Sequence, residues 1–116
     1  MGSSWSHVVV DATDPARLAR WWAEVLDYRL THEASDEVCI GGDSGPELVF
    51  VPVPEAKSGK NRLHLDVRPD DQAAEVERLI DMGARQIDVG QSPDATWVVL
   101  ADPEGNEFCV LRAKEQ

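Results

Sequence analysis

Histidines, a thiol and several carboxylates are the residues of this chain that could hold a metal or move a proton. Imidazole binds zinc, nickel, iron or manganese, and a cysteine thiolate is both a zinc ligand and a nucleophile. In the stretch DPEGNEFCVL, a turn leads into a strand that carries Glu107 and Cys109. Because side chains alternate across a strand, these two residues share one face. That face is a candidate wall of a functional site.

These chemically active residues occupy matching positions of an internal repeat. HVVVDATDPARLARWW, which begins at His7, aligns with HLDVRPDDQAAEVERL, which begins at His64. ELVFVPV, which begins at Glu47, aligns with EFCVLRA, which begins at Glu107. A repeat of about half the chain predicts two copies of one structural unit.

The first copy is predicted to be a strand, a helix and three strands. WSHVVVDA (5–12) is rich in β-branched residues and predicts the first strand. A helix follows, with Thr13 or Asp14 as its cap and Pro15 at its first position. The predicted buried face of this helix comprises Leu18, Trp21, Trp22, Val25 and Leu26. The three further strands are predicted at 28–33, 37–41 and 47–53.

The second copy repeats this order after a linker rich in Pro, Lys and Gly. RLHLDVRP (62–69) predicts a strand, and DDQAAEVERLIDMG predicts a helix that Asp70 or Asp71 caps and Gly83 ends. The predicted buried face of this helix comprises Ala73, Val76, Leu79 and Ile80. The remaining strands are predicted near 85–89, 96–101 and 107–112.

The repeated segments resemble the glyoxalase/bleomycin-resistance/dioxygenase superfamily, also called vicinal oxygen chelate proteins. The likeness rests on HVVVDATDPARLARWWAEVLDY, RLHLDVRPDDQAAEVERLIDMGAR and WVVLADPEGNEFCVL, and it extends over nearly the whole chain. The resemblance implies an α+β fold in which two β-α-β-β-β modules form a cupped, curled mixed sheet around a groove. It also implies a homodimer. We expect one glyoxalase-like domain over 1–116, with module 1 at 5–53, a linker at 54–61 and module 2 at 62–113.

The resemblance also implies where a metal would be held. In the metal enzymes of this family, the first and last strands of each module supply the ligands that line the groove. His7 and His64 stand at the first-strand positions. The last-strand positions hold Val49, which cannot bind a metal, and Cys109, where the family pattern has a glutamate.

Other interpretations of these residues remain open. The histidines could be half-buried side chains that bond to backbone or carboxylate groups. Cys109 could be a zinc ligand, a reactive nucleophile or a small buried hydrophobe. Glu47 and Glu107 each lie two residues before the ligand position, ~6.6 Å away along the strand. Only a register shift or a bulge would bring them to a metal.

Asp66 and the tryptophans complete the set of candidate site residues. Asp66 shares a face with His64 and could orient its imidazole or act as a base, or it could pair with Arg62 or Arg68. Trp5 and Trp97 are predicted beside the groove, where aromatic walls suit a flat or cationic ligand. Of the adjacent Trp21 and Trp22, one could reach a subunit interface.

Composition limits the partners and the compartment. The chain has 22 acidic against 11 basic side chains, a net charge of −11, which disfavours nucleic acid and anionic membranes and suits a cationic ligand. The two cysteines form no disulfide framework, and the N-terminal sequence lacks a secretory signal pattern. We therefore expect a cytoplasmic protein.

The sequence favours a glyoxalase-like protein with a degraded metal site that binds a small organic ligand in the groove. The predicted groove residues are Trp5, His7, Glu47, Val49, His64, Asp66, Trp97, Glu107 and Cys109. One alternative is a lyase, isomerase or dioxygenase that holds zinc, nickel, iron or manganese through His7 and His64, with Cys109 or a displaced glutamate as a further ligand. Another is a metal-free enzyme that uses Asp66, Glu107 or Cys109 as acid, base or nucleophile.

Overall fold

The computed structural model describes residues 2–88 and 94–114. The first half runs through strand β1 (His7–Ala12), helix α1 (Pro15–Leu26) and strands β2 (Arg29–Ala34), β3 (Glu37–Gly41) and β4 (Glu47–Pro52). The second half runs through strand β5 (Leu65–Val67), helix α2 (Gln72–Asp81) and strands β6 (Arg85–Gln86), β7 (Val98–Ala101) and β8 (Glu107–Val110). The α+β class and the doubled strand–helix–three-strand order are therefore confirmed.

The chain divides into two compact units, Met1–Ala56 and Lys57–Gln116. We refer to them as the first and the second module. None of the helices in the described ranges is long and apolar enough to cross a membrane. The single domain over 1–116 and the linker at 54–61 stay predictions.

The first module is a four-stranded mixed sheet in the order β1-β4-β3-β2. Strand β1 pairs in parallel with β4, whereas β2 and β4 both run antiparallel to β3. Alternation along β4 sends Leu48 and Phe50 to one face and Val49 to the other. All three are buried.

Local signals define helix α1. Asp14 is the N-cap, and its Oδ1 accepts a hydrogen bond from the backbone N–H of Arg17 at 3.2 Å. Pro15 fits the first turn because its missing N–H would have no partner there. Trp21 and Trp22 are both buried in this module and pack edge to face, with ring centroids 5.1 Å apart. Neither indole is therefore left exposed to reach a subunit interface.

The second module repeats the topology with shorter strands in the order β5-β8-β7-β6, where β5 and β8 are parallel. Strand β5 has three residues rather than the predicted eight, because residues 62–64 and 68–69 lie outside the strand ladder. Strand β6 has two residues, and the end of the strand predicted at 85–89 lies outside the described residues. Most of the predicted QSPDA turn lies there too.

Helix α2 begins and ends as the sequence predicts, but its apolar face is less buried. The Asp71 carboxylate accepts a hydrogen bond from the N–H of Ala74 at 3.1 Å, and Gly83 follows the helix with φ +112°. Of the predicted buried face, Leu79 is buried, whereas Ile80 is 41% exposed. Apolar spacing identified the helix correctly but overestimated how much of it the second module covers.

The turn before β8 is organised by one buried carboxylate. Asp102 is 1% exposed and accepts hydrogen bonds from the backbone N–H groups of Glu104 and Asn106 and from the Asn106 side chain. Gly105 has φ +91°, a conformation that residues with a Cβ rarely adopt. The DPEGN sequence thus fixes the reversal from β7 into β8 and positions the residues at the start of β8.

We predict that Asp102→Ala lowers the free energy of unfolding by about 2–4 kcal/mol, because buried donors lose a charged acceptor. Urea denaturation followed by circular dichroism measures the change. Asp81→Ala, which removes an exposed carboxylate at the end of α2, is the control and should change stability by less than about 0.5 kcal/mol. A loss below about 1 kcal/mol for Asp102→Ala would contradict the structural role of this carboxylate.

Candidate functional site

Three potential metal or proton-transfer groups meet on the sheet of the second module. Asp66 on β5 lies directly opposite Cys109 on β8 in the parallel pair, so both side chains leave the same face. His64, two residues before Asp66, places its Nε2 3.2 Å from Asp66 Oδ1. One ligand atom from each of the three residues lies within 4.8 Å of the other two. The pairing of first and last strand creates this cluster.

The Cys109 thiol is held in its neutral form. Burial raises its pKa, and the charge of Asp66 and a hydrogen bond to that carboxylate raise it further, against a smaller opposing effect of Lys60. A Cys–His nucleophile needs the thiol to pass its proton to an imidazole. Here the thiol faces a carboxylate that the imidazole also contacts, so the arrangement does not favour a reactive thiolate.

The contacts of Asp66 run to His64 and Cys109. Arg68, one of its predicted partners, instead donates to the backbone carbonyl of Arg112 at 2.7 Å. About half of each side chain of His64 and Asp66 is exposed (46% and 48%), whereas Cys109 is 8% exposed. The thiol therefore forms the base of the cluster, and the imidazole and the carboxylate form its open edge.

Glu107, the second candidate acid on β8, is engaged in a different structure. Its carboxylate accepts hydrogen bonds from the Lys57 ammonium at 2.9 Å and from the backbone N–H of Asn61 at 2.7 Å. The Lys57 and Glu107 side chains are only 17% and 13% exposed. Both carboxylate oxygens therefore accept hydrogen bonds. The contacts of Glu107 with Lys57 and Asn61 connect residues 57–61 to the start of β8.

Opposing effects act on the ionisation of Glu107. Burial tends to raise its pKa, but the Asn61 N–H and the Lys57 ammonium outweigh burial and hold the pKa below its ordinary value. The side chain is therefore a stable anion that is already fully bonded. This environment is poorly suited to a metal ligand or a catalytic base.

The equivalent positions of the first module carry a different set of groups. His7 lies opposite Glu47 in the parallel pair of β1 and β4, and its Nδ1 is 2.8 Å from the hydroxyl of Ser6. The Glu47 carboxylate accepts a hydrogen bond from Thr31 at 3.2 Å. Val49 is buried two residues further along β4. This position therefore offers a buried isopropyl group and no metal donor.

A pocket of about 300 Å³ opens at the start of β4 in the first module. Its lining residues are Trp5, Ser6, Gly45, Pro46 and Glu47. The Trp5 side chain is 84% exposed. Tyr28 supports the pocket from behind, since its hydroxyl donates to the carbonyls of Ser44 and Pro46 at 3.1 and 3.0 Å. The pocket combines an aromatic surface with a carboxylate.

Of the remaining predicted site residues, Trp97 lies just before β7 and is 38% exposed. Sequence reasoning missed Lys57 and Asn61 as partners of Glu107, and Gly45 and Pro46 as pocket residues. A Lys in the linker gave no signal of its own, because its partner lies 50 residues away in the sequence.

The comparisons with known proteins identify the family. A model of the glyoxalase-like domain matches residues 7–111, and the chain therefore belongs to that family. No curated protein sequence matches the chain.

Similar solved structures share the fold at low sequence identity. The fosfomycin resistance protein FosX of Listeria monocytogenes, complexed with Mn(II) and sulfate, has a TM-score of 0.77 and 12% identity over 98% of this chain and 93% of its own. A glyoxalase/bleomycin resistance protein/dioxygenase family enzyme of Burkholderia phytofirmans PsJN has a TM-score of 0.74 and 18% identity over 94% and 98% of the two chains. TnmS3, an antibiotic binding protein of a Streptomyces species, has a TM-score of 0.64 and 18% identity over 97% of both.

The four-ligand metal set implied by the resemblance does not fit the residues present. Val49 supplies no donor, and the nearest glutamate on β8, Glu107, has both oxygens bonded to Lys57 and Asn61. Cys109 stands where the family pattern has a glutamate, and its sulfur is a softer donor. No catalytic step through such a metal is therefore derived.

We predict that the Cys109 thiol reacts slowly at neutral pH, because its raised pKa keeps it protonated. Ellman's reagent applied to the Cys39→Ser variant isolates Cys109, which should react more slowly than free cysteine at neutral pH and should still be slower when the pH passes the ordinary thiol pKa of about 8.5. Asp66→Asn should speed the reaction because it removes a charge that opposes the thiolate. Faster reaction than free cysteine at pH 7 would contradict this assignment.

We predict that Glu107 stabilises the fold in a pH-dependent way. Its folded-state pKa is lowered, so its contribution is complete above the unfolded value of about 4.3 and is lost as the pH falls through the folded value. Glu107→Gln should lower the free energy of unfolding at pH 7 by about 1–3 kcal/mol, and this difference should shrink below pH 4. Glu24→Gln, on an exposed position of α1, is the control. An equal Glu107→Gln effect at pH 7 and pH 3 would contradict the prediction.

Proposed function

We propose that the protein binds a small aromatic cation and that the pocket beside Trp5 and Glu47 forms part of the binding site. The observation that carries this proposal is the combination, in one pocket, of an exposed indole and a carboxylate. An indole face attracts a cation, and the attraction strengthens when water is excluded. A carboxylate beside it supplies the opposite charge.

The volume of the pocket and the net charge of the protein support the same class of ligand. A volume of about 300 Å³ is at the lower end of the range for small-molecule pockets and has room for a fused ring system. The net charge of −11 attracts cations toward the surface at long range. Glu47 has one hydrogen bond from a described residue, to Oε2, so its charge is only partly compensated.

The family supports binding of small molecules more than it supports one reaction. TnmS3 is an antibiotic binding protein, and FosX is a fosfomycin resistance protein, and both share this fold. The remaining groove residues predicted from the sequence, the cytoplasmic location and the homodimer stay part of the proposal. Light scattering on the purified protein tests the dimer.

Ethidium is a suitable first probe because it is a flat aromatic cation whose fluorescence polarisation reports binding. We expect saturable binding of ethidium and no binding of the anionic dye fluorescein. Trp5→Leu should weaken ethidium binding about 5-fold, the effect of losing roughly 1 kcal/mol of cation–π attraction. Glu47→Gln should also weaken it, most strongly at low salt.

Matched controls separate the pocket from general charge attraction. Glu24→Gln removes the same charge on helix α1, and Leu63→Ala removes another exposed apolar side chain; both should leave ethidium affinity unchanged. An equal loss for Glu24→Gln and Glu47→Gln would mean that net charge alone attracts the dye. That result, or no saturable binding, would overturn the proposal.

A further inference from the structure

We propose that the second module binds a divalent cation of the zinc class through His64, Asp66 and Cys109. This site is separate from the pocket of the first module and takes all its protein ligands from β5, β8 and the residue just before β5. It also differs from the four-ligand set implied by the family resemblance, because Asp66 takes part and neither Val49 nor His7 is needed.

The strand register brings the three donors together. Asp66 and Cys109 are direct neighbours across the parallel ladder, and His64 precedes Asp66 by two residues. In a tetrahedral zinc site with bonds of 2.0–2.3 Å, neighbouring ligand atoms are about 3.3–3.6 Å apart. The His64 Nε2 and Asp66 Oδ1 atoms are 3.2 Å apart, and all three ligand atoms lie within 4.8 Å.

The donor types select the class of metal. A thiolate and an imidazole favour zinc, cobalt or cadmium over magnesium, calcium or manganese, which prefer oxygen donors. Binding breaks the S–H bond of Cys109, forms a sulfur–metal bond and releases one proton to solvent. The thiolate and the Asp66 carboxylate together then carry the two negative charges that balance a divalent ion.

The burial of the donors suits an open site. The thiol lies at the base, 8% exposed, and the two other side chains are about half exposed at 46% and 48%. An ion can therefore enter from the open edge without unfolding the sheet. Three protein ligands leave one tetrahedral position for water or for an oxygen or nitrogen of a small molecule, as in zinc sites that bind exogenous ligands.

Cobalt(II) is the probe, because a thiolate ligand gives a sulfur-to-cobalt charge-transfer band and tetrahedral geometry gives intense visible bands. We titrate the protein, stripped of metal with a chelator, with cobalt(II), then displace the cobalt with zinc, and follow proton release with an indicator dye. We expect one cobalt per chain, a charge-transfer band and one proton released per ion.

Variants assign the ligands. Cys109→Ser should abolish the charge-transfer band, and Asp66→Asn and His64→Gln should each weaken cobalt binding more than about 100-fold, since even hydrogen-bond partners of metal ligands are worth about 10–100-fold. Cys39→Ser removes the other buried thiol and should change nothing. Asp66→Asn keeps the shape of an exposed side chain, so it tests the site even if Cys109→Ser fails to fold.

Several results would overturn the proposal. Absence of a charge-transfer band in the wild-type protein would mean that the cluster is a hydrogen-bonded structure only. Retention of the band in Cys109→Ser, or equal affinity in Asp66→Asn, would place the ion elsewhere. A loss of cobalt binding in His7→Gln as large as in Asp66→Asn would mean that the ligands are not confined to the second module. Ethidium binding does not depend on these outcomes.

Discussion

The parallel pairing of the first strand with the last strand is the interaction on which each module depends. It brings β1 beside β4 and β5 beside β8, although each pair is separated by a helix and two strands of chain. Two candidate pairs follow from this register, His7 with Glu47 and Asp66 with Cys109. The chemistry of a module is therefore decided by which side chains stand opposite each other on two strands.

The two modules share one strand order but differ in their contacts because matching positions carry different residues. Glu47 accepts a hydrogen bond from Thr31 and lines a pocket, whereas Glu107 is bonded to Lys57 and Asn61 and secures residues 57–61 to β8. Val49 is apolar, whereas Cys109 meets a carboxylate. One module therefore holds a carboxylate beside an aromatic ring, and the other holds a thiol–carboxylate–imidazole cluster.

Local sequence signals predicted the fold well because they act over a few residues. The caps Asp14 and Asp71, the position of Pro15 and the stop at Gly83 all stand where the sequence placed them. The internal repeat then gave the order of elements, and the family resemblance gave the topology. The prediction of the buried face of α2 was the least accurate, since the spacing of apolar residues does not tell how much of a helix is covered by the rest of the protein.

The candidate site was only partly predictable because its decisive contacts join distant parts of the chain. Strand alternation predicted a shared face for His64 and Asp66, and their side chains do meet although His64 lies before β5, but the pairing of Asp66 with Cys109 requires the parallel register. The engagement of Glu107 by Lys57 depends on a linker conformation that no local pattern encodes. The pKa of Glu107 is lowered and that of Cys109 is raised by these partners and by burial, which the residue types alone do not reveal.

The Asp102 turn has a consequence for the order in which the second module assembles. It joins β7 to β8 as a local hairpin, and hairpins form in about 1–10 μs. Pairing of β5 with β8 must instead close a loop of roughly 40 residues, which carries a larger entropic penalty. The hairpin is thus the natural template onto which β5 docks, and Cys109 stands in place before Asp66 arrives. A weakened turn would slow folding as well as lower stability.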